Sequence, residues 1–209
     1  MNFPIDPSAI IPFLIAITLV EATPGPNMGY LAALSASEGR VAGLRAVAGV
    51  TIGLSVYMLL SVFGVAQVIA RLPAVYAVLR WAGVIYLLYL AWEAWKDASE
   101  TSPSSSDDGF SSPFWRGFLA NILNPKAIAF YVSLLPGFMN AERSALWVQA
   151  LILGSLHILI SVIIHAGIVL GAARSGSLLE NSPAKTNVRK ALAILIALIA
   201  LWVAWETRQ

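Results

Sequence analysis

The stretch EATPGPNMGY, residues 21–30, puts two prolines, a glycine and an acid inside an apolar run that otherwise has the length of a membrane helix. A proline in a helix interior removes a hydrogen bond and costs about 3 kcal/mol. In hydrocarbon the carbonyls it frees must find neighbours, water or a ligand. A second break, NPKAIAFYV from Asn124, repeats the pattern. Thr23-Pro24 and Asn124-Pro125 each set a capping side chain before a proline at the first helical position, where its missing N–H does no harm. Both therefore predict a half-helix that starts inside the membrane. The second break lies about ten residues in from Phe114, roughly 15 Å at the helical rise, near the bilayer midplane.

The surrounding composition fixes the solvent. Of 209 residues, 58% are hydrophobic and only 11% are charged, too few charges to coat a soluble domain. Asp6 stands where a signal peptide carries Lys or Arg, so the first segment is expected to be retained. Spans of roughly 20 residues read at about 8–34, 41–70, 74–95, 114–138, 145–172 and 186–206. The predicted fold is an all-α membrane protein of six transmembrane helices, the first and fourth broken at Pro motifs. With no cysteine, disulfides and thiolate metal sites are excluded, and two histidines leave little for a metal. No cofactor is expected. A net charge of +2 without a basic stripe excludes nucleic acid as a partner.

Residues 96–113, KDASETSPSSSDDGFSSP, form a Ser/Pro/Asp-rich linker between two units, 1–95 and 114–209. Arg40, Arg45, Lys96, Arg116, Arg174, Lys185, Arg189 and Lys190 fall in the first, third and fifth loops; the other side carries mainly Arg71, Arg143 and Arg208. The positive-inside rule then puts both termini outside and the linker in the cytoplasm; Arg80, near the start of the third helix, does not reverse the bias. The units resemble one another: TPGPNMGYL sets against NPKAIAFYV, pairing Pro24 with Pro125 and Tyr30 with Tyr131. Three helices per unit, an odd number, make the second unit an inverted repeat, an architecture of secondary transporters.

Half-helix N-termini offer unpaired N–H groups and the positive dipole end, so two of them can receive a carboxylate. Glu21, at the end of one half-helix, and Lys126, in the first turn of another, are each opposed by their own helix dipole. Either they pair with one another, or Glu21 holds a substrate ammonium while Lys126 and the helix ends hold its carboxylate. That is the charge pattern of an amino acid. With Glu21 as the one acid at this depth, a neutral side chain is favoured, and the same carboxylate is the expected proton-coupling group. The candidate site comprises Glu21, Thr23, Pro24, Gly25, Pro26, Asn27, Tyr30, Asn121, Asn124, Pro125, Lys126 and Tyr131; for the Asn and Tyr side chains, capping or interhelical bonding is an equal reading. His157 and His165, eight apart and close to one helix face, could bind a proton, with helix packing the favoured reading, and Trp92, Trp95, Trp202 and Trp205 read as interfacial anchors. GVTIG at 49–53 and GIVLG at 167–171 are small-xxx-small patterns for close packing, within a monomer or across a homodimer.

PGPN at 24–27, NPKA at 124–127 and SLLPGF at 133–138, with the six-helix plan, resemble the LysE/RhtB family of amino-acid exporters. The resemblance implies export of amino acids or close derivatives across the bacterial inner membrane, driven by the proton gradient. It carries over Pro24, Gly25, Pro26, Asn27, Asn124, Pro125 and Lys126 as motif positions. Rival readings are export of another small metabolite or ion, a channel, and a non-transporting scaffold. An intramembrane enzyme is disfavoured, because no metal-ligand cluster and no paired Ser–His nucleophile is evident.

Overall fold

The computed structural model describes residues 3–64, 72–99, 112–178 and 185–206. Most of the 96–113 linker lies outside the described residues, as do Arg71, Arg208 and the side chains of Arg80, Lys185 and Arg189. The described chain is entirely helical: α1 Pro7–Ala22, α2 Pro26–Glu38, α3 Arg40–Val62, α4 Pro73–Ser99, α5 Pro113–Ile122, α6 Pro125–Ala129, α7 Leu146–Leu178 and α8 Lys185–Glu206. A π turn (Phe130–Leu134) and a 3₁₀ turn (Leu135–Phe138) extend α6. It is an all-α membrane protein. Among the described residues, α3 and α7 are each long and apolar enough to cross a bilayer alone. The pair α1–α2 and the pair α5–α6 with its extension qualify as bent spans, with bends of 54° and 50°.

Local chemistry sets the ends of these elements. Asp6 caps α1, its Oδ1 accepting from the Ser8 N–H at 3.0 Å and hydroxyl at 2.7 Å. Those two bonds, and then Arg143 at 3.3 Å, hold the Asp6 carboxyl below the usual carboxylate range. The cap therefore persists at neutral pH and is lost only as acid protonates Asp6, below about pH 4. Gly39, at φ +86°, makes the one-residue corner between α2 and α3 that an L side chain would strain. α3 stops at Val62, short of the expected position 70, because Gly64 at φ +72° closes it in a left-handed cap.

Two apolar cores hold the helices together. Phe13 and Ile17 of α1 pack with Tyr57 of α3, Phe130 and Tyr131 of the α6 extension and Leu153 of α7. Tyr30 and Leu34 of α2 pack with Ala46 of α3, Leu90 of α4, Ala120 of α5 and Val169 of α7. α4 and α8 lie against each other. Outward faces remain apolar, with Ile11, Ile163, Leu201 and Trp205 more than half exposed, as a lipid-facing surface requires.

Since lipid tails are as apolar as Leu, close approach and polar bonds must supply the helix association. A Cβ on Gly49 would come within 1.9 Å of the Phe114 carbonyl oxygen, and one on Gly117 within 2.2 Å of that of Ala46, so α3 and α5 touch backbone to backbone. Gly53 faces Asn121 on the same seam. The second small-residue pattern behaves differently: nothing lies within 4 Å of a Cβ on Gly167 or Gly171, so GIVLG makes no close packing inside the monomer. Arg116 closes one end, with Nη2 at 2.9 Å from Glu93 and Nη1 at 3.7 Å from Glu38. Gly176 abuts Ala36, and Lys190 sits 5.2 Å from the Trp95 ring at this same end. The basic loops that the sequence counts together therefore meet in space. Asp6–Arg143 and the Ser144 hydroxyl on the Pro4 carbonyl close the other end.

Gly49→Ala should lower the thermal unfolding midpoint in detergent, at a cost of about 1–3 kcal/mol from overpacking. Gly167→Ala should leave it unchanged or raise it, since an open helical position gains propensity. A melting series on the two variants checks the contrast.

Candidate functional site

The two breaks meet in the middle of the helix bundle, and side chains donate to the carbonyls of Leu19, Thr23 and Ile122 there. Thr23 does not cap α2: its hydroxyl turns back to the Leu19 carbonyl at 2.7 Å and finishes α1. α2 starts two residues later, with Gly25 at the N-cap position and Pro26 first in the helix. Pro26, and not Pro24, is thus the counterpart of Pro125, which opens α6. The expected Thr23 cap fails because a threonine at a helix end can bond its own preceding turn instead. Asn124 does cap α6, its Oδ1 accepting from the Lys126 N–H at 3.0 Å. The Tyr57 hydroxyl donates to the Ile122 carbonyl at the end of α5.

Glu21 and Lys126 do not bond each other. The Lys126 ammonium donates to the Thr23 carbonyl at 2.9 Å. It thereby leaves the positive end of its own helix for the negative end of α1, where a cation is welcome. Glu21 is buried and pairs with two histidines of α7. His157 Nε2 lies 3.0 Å from its Oε1, and His165 Nε2 lies 3.7 Å from its Oε2. Each imidazole then meets a hydroxyl through Nδ1: His157 meets Tyr131 at 3.2 Å and His165 meets Ser161 at 3.1 Å. His157 also stacks against Phe130, ring centroids 3.8 Å apart. The sequence favours a packing role for both histidines and places them outside the site; their eight-residue spacing presents two imidazoles from one unbroken helix toward Glu21, and only the packing of α7 against the end of α1 reveals the acid as their partner.

These groups line a polar compartment of about 20 Å³, with Asn27, Asn121, Asn124 and Lys126 on its wall. That is room for one water-sized group. The buried Oδ1 atoms of Asn27 and Asn121 have no hydrogen-bond partner, so the compartment presents carbonyl acceptors beside a carboxylate. Next to it lies a chamber of about 620 Å³, lined by Thr23, Pro24, Pro26, Pro125, Phe130, Leu134 and, from α8, Trp202. Gly25, Asn124 and Lys126 belong to both walls. Among the described residues lining the chamber there is no carboxylate. Of the expected site residues, Tyr131 reaches the site only through His157, with Tyr57 stacked on its ring at 6.0 Å. Tyr30 lies in the α2–α3–α4 core and lines neither space. Trp202, expected only as an anchor, also walls the chamber.

A pair of proline-broken spans that bring an acid, a lysine and unpartnered acceptors to one interior point defines a membrane translocator. The chain belongs to the LysE type translocator family, which it matches over residues 18–207. It is 33% identical over 173 residues to an uncharacterized membrane protein of Pseudomonas aeruginosa, covering 77% of this chain and 80% of that one. An uncharacterized membrane protein of Vibrio cholerae is 26% identical over 180 residues, 85% and 87% of the two chains. A homoserine/homoserine lactone efflux protein of Salmonella typhimurium is 25% identical over 194 residues, 92% and 94% of the two. No solved structure matches the chain.

Asn124→Ala should cost about 1 kcal/mol by removing the α6 cap, and Asn124→Asp should restore most of it. Thr23→Val should cost less than Asn124→Ala, since the Thr23 backbone N–H also bonds Leu19. Chemical denaturation or thermal melting of the three variants checks the order.

Proposed function

We propose that this chain is a bacterial inner-membrane secondary transporter that exports neutral amino acids or close derivatives by proton antiport with alternating access. On this reading the two three-helix units, 1–95 and 114–209, cross the membrane as inverted repeats joined by the cytoplasmic 96–113 linker, with both termini outside. The observation that carries the proposal is the water-sized compartment holding Glu21 and the Asn27 and Asn121 acceptors, set against a larger chamber with no acid on its wall.

An ammonium group matches the compartment in size, and Glu21 with two amide oxygens matches it in charge and hydrogen-bond capacity. Lys126 stands between the two spaces, where a substrate carboxylate can draw it from the Thr23 carbonyl. The side chain then lies in the chamber against Phe130 and Trp202. A cationic side chain would meet no counter-charge there, which favours a neutral one. The Salmonella typhimurium relative is a homoserine/homoserine lactone efflux protein, and homoserine is an amino acid of this kind.

Alternating access asks the two repeats to differ in packing at any moment. α5 touches α3 through backbone, whereas α1 meets the α6 extension through the rings of Phe13, Phe130 and Phe138. That looser contact favours the α1 side as the opening of the chamber.

Counterflow of labelled homoserine, threonine, leucine, lysine and arginine into proteoliposomes, with and without a pH gradient, tests the reading. One or more neutral amino acids should exchange, and lysine and arginine should exchange at least tenfold more slowly. Glu21→Gln should abolish gradient-driven uptake, and Lys126→Gln should raise the half-saturating concentration at least tenfold. A well-folded protein that exchanges none of the five, or that prefers arginine, would sink the proposal.

A further inference from the structure

Glu21 is the centre of an arrangement that the exporter reading does not by itself require: it bonds His157 at 3.0 Å and lies at ion-pair distance, 3.7 Å, from His165. Two imidazoles, His157 and His165, are each bracketed between a Glu21 oxygen on the Nε2 side and a hydroxyl on the Nδ1 side. Both are buried, 1% and 4% exposed. A carboxylate only accepts hydrogen bonds, so the nitrogen facing it carries the N–H. The other nitrogen of a neutral imidazole is then an acceptor, and the Tyr131 or Ser161 hydroxyl serves as its donor. A hydroxyl both donates and accepts. When Nδ1 takes up a proton, the hydroxyl turns its hydrogen away and presents its oxygen, so the new N–H meets an acceptor.

From this geometry we infer that the coupling proton binds the His157–His165 pair, on Nδ1 of His157 in the arrangement seen, while Glu21 stays ionised as its counter-ion. This rests on the exporter reading for the word coupling, and on the side-chain geometry alone for the proton site. With Lys126 on the same wall, the compartment is neutral when both imidazoles are neutral and carries one positive charge when one is protonated; a second proton would bring two positive charges together in a buried place, so the site takes one proton at a time. The groups facing it are Glu21 from α1, Lys126 and Tyr131 from α6 and its extension, and Tyr57 from α3 through its stack on Tyr131. α2 contributes the neutral Asn27.

Exclusion of proton and substrate follows from counting anions. Glu21 is the one carboxylate among the described residues lining either space. An imidazolium beside it uses the charge that a substrate ammonium needs, so each ligand expels the other, which is the condition for antiport. His157 and His165 ride on the unbroken α7 and Glu21 on the broken first span, so this charge pair joins the two elements. Tyr131 is a positioning residue: it acts on the proton through His157.

The chain has only two histidines, so imidazole nitrogen NMR of the wild-type protein in nanodiscs reads the site directly and without substrate. On acidification one imidazole should pass from the neutral to the doubly protonated form; His157→Gln identifies its signal. Two imidazoles that both remain neutral throughout would overturn the inference. In proteoliposomes, the ratio of gradient-driven uptake to counterflow should fall at least tenfold in His157→Gln/His165→Gln, and Tyr131→Phe should move the pH profile of uptake. Gradient drive preserved in the double variant would refute the proton site while leaving the exporter reading standing. Protonation of an imidazole with no amino-acid flux would do the reverse.

Discussion

The centre of this protein depends on backbone carbonyls that lose their helical partners at the two breaks. A broken span in hydrocarbon is tolerated only if each freed group finds a donor. Here the donors are side chains from the other unit: Lys126 reaches across to Thr23, and Tyr57 reaches to Ile122. The breaks are thus mutually supporting. One cannot move without changing what satisfies the other, which is what a transporter needs from a hinge.

The charges follow from that arrangement. Lys126 is held at the negative end of α1, and Glu21, released from it, turns to the histidines. Opposite charges are kept apart by their separate partners, which leaves both available to a zwitterion. Had they paired directly, the site would be a closed ion pair with a desolvation penalty to overcome before any ligand could bind. On the proposed reading, the small polar compartment takes the head group of an amino acid and the larger apolar chamber its side chain.

The glycine seam between α3 and α5 sets backbone against backbone through Gly49 and Gly117, whereas α1 meets the α6 extension through the rings around Phe13.

Much of this was legible in the residues. Solvent class, helical content and the two breaks follow from hydropathy and from proline's missing N–H, which are local properties. So does the Asn124 cap. The roles of Thr23, Lys126 and the histidines were not legible, because each turns on a partner far along the chain: Thr23 chooses between two neighbouring turns, and Lys126 between the anion at Glu21 and the carbonyls of α1. The pattern GIVLG equals GVTIG as text, yet one faces a backbone and the other does not, since rotation of a helix about its axis is decided by its neighbours. Glu21 was visible as an isolated acid in an apolar run. Its imidazole partners, 136 and 144 positions along the chain, became visible only when packing brought α7 against the end of α1, because a buried carboxylate takes whatever donors the fold brings within reach.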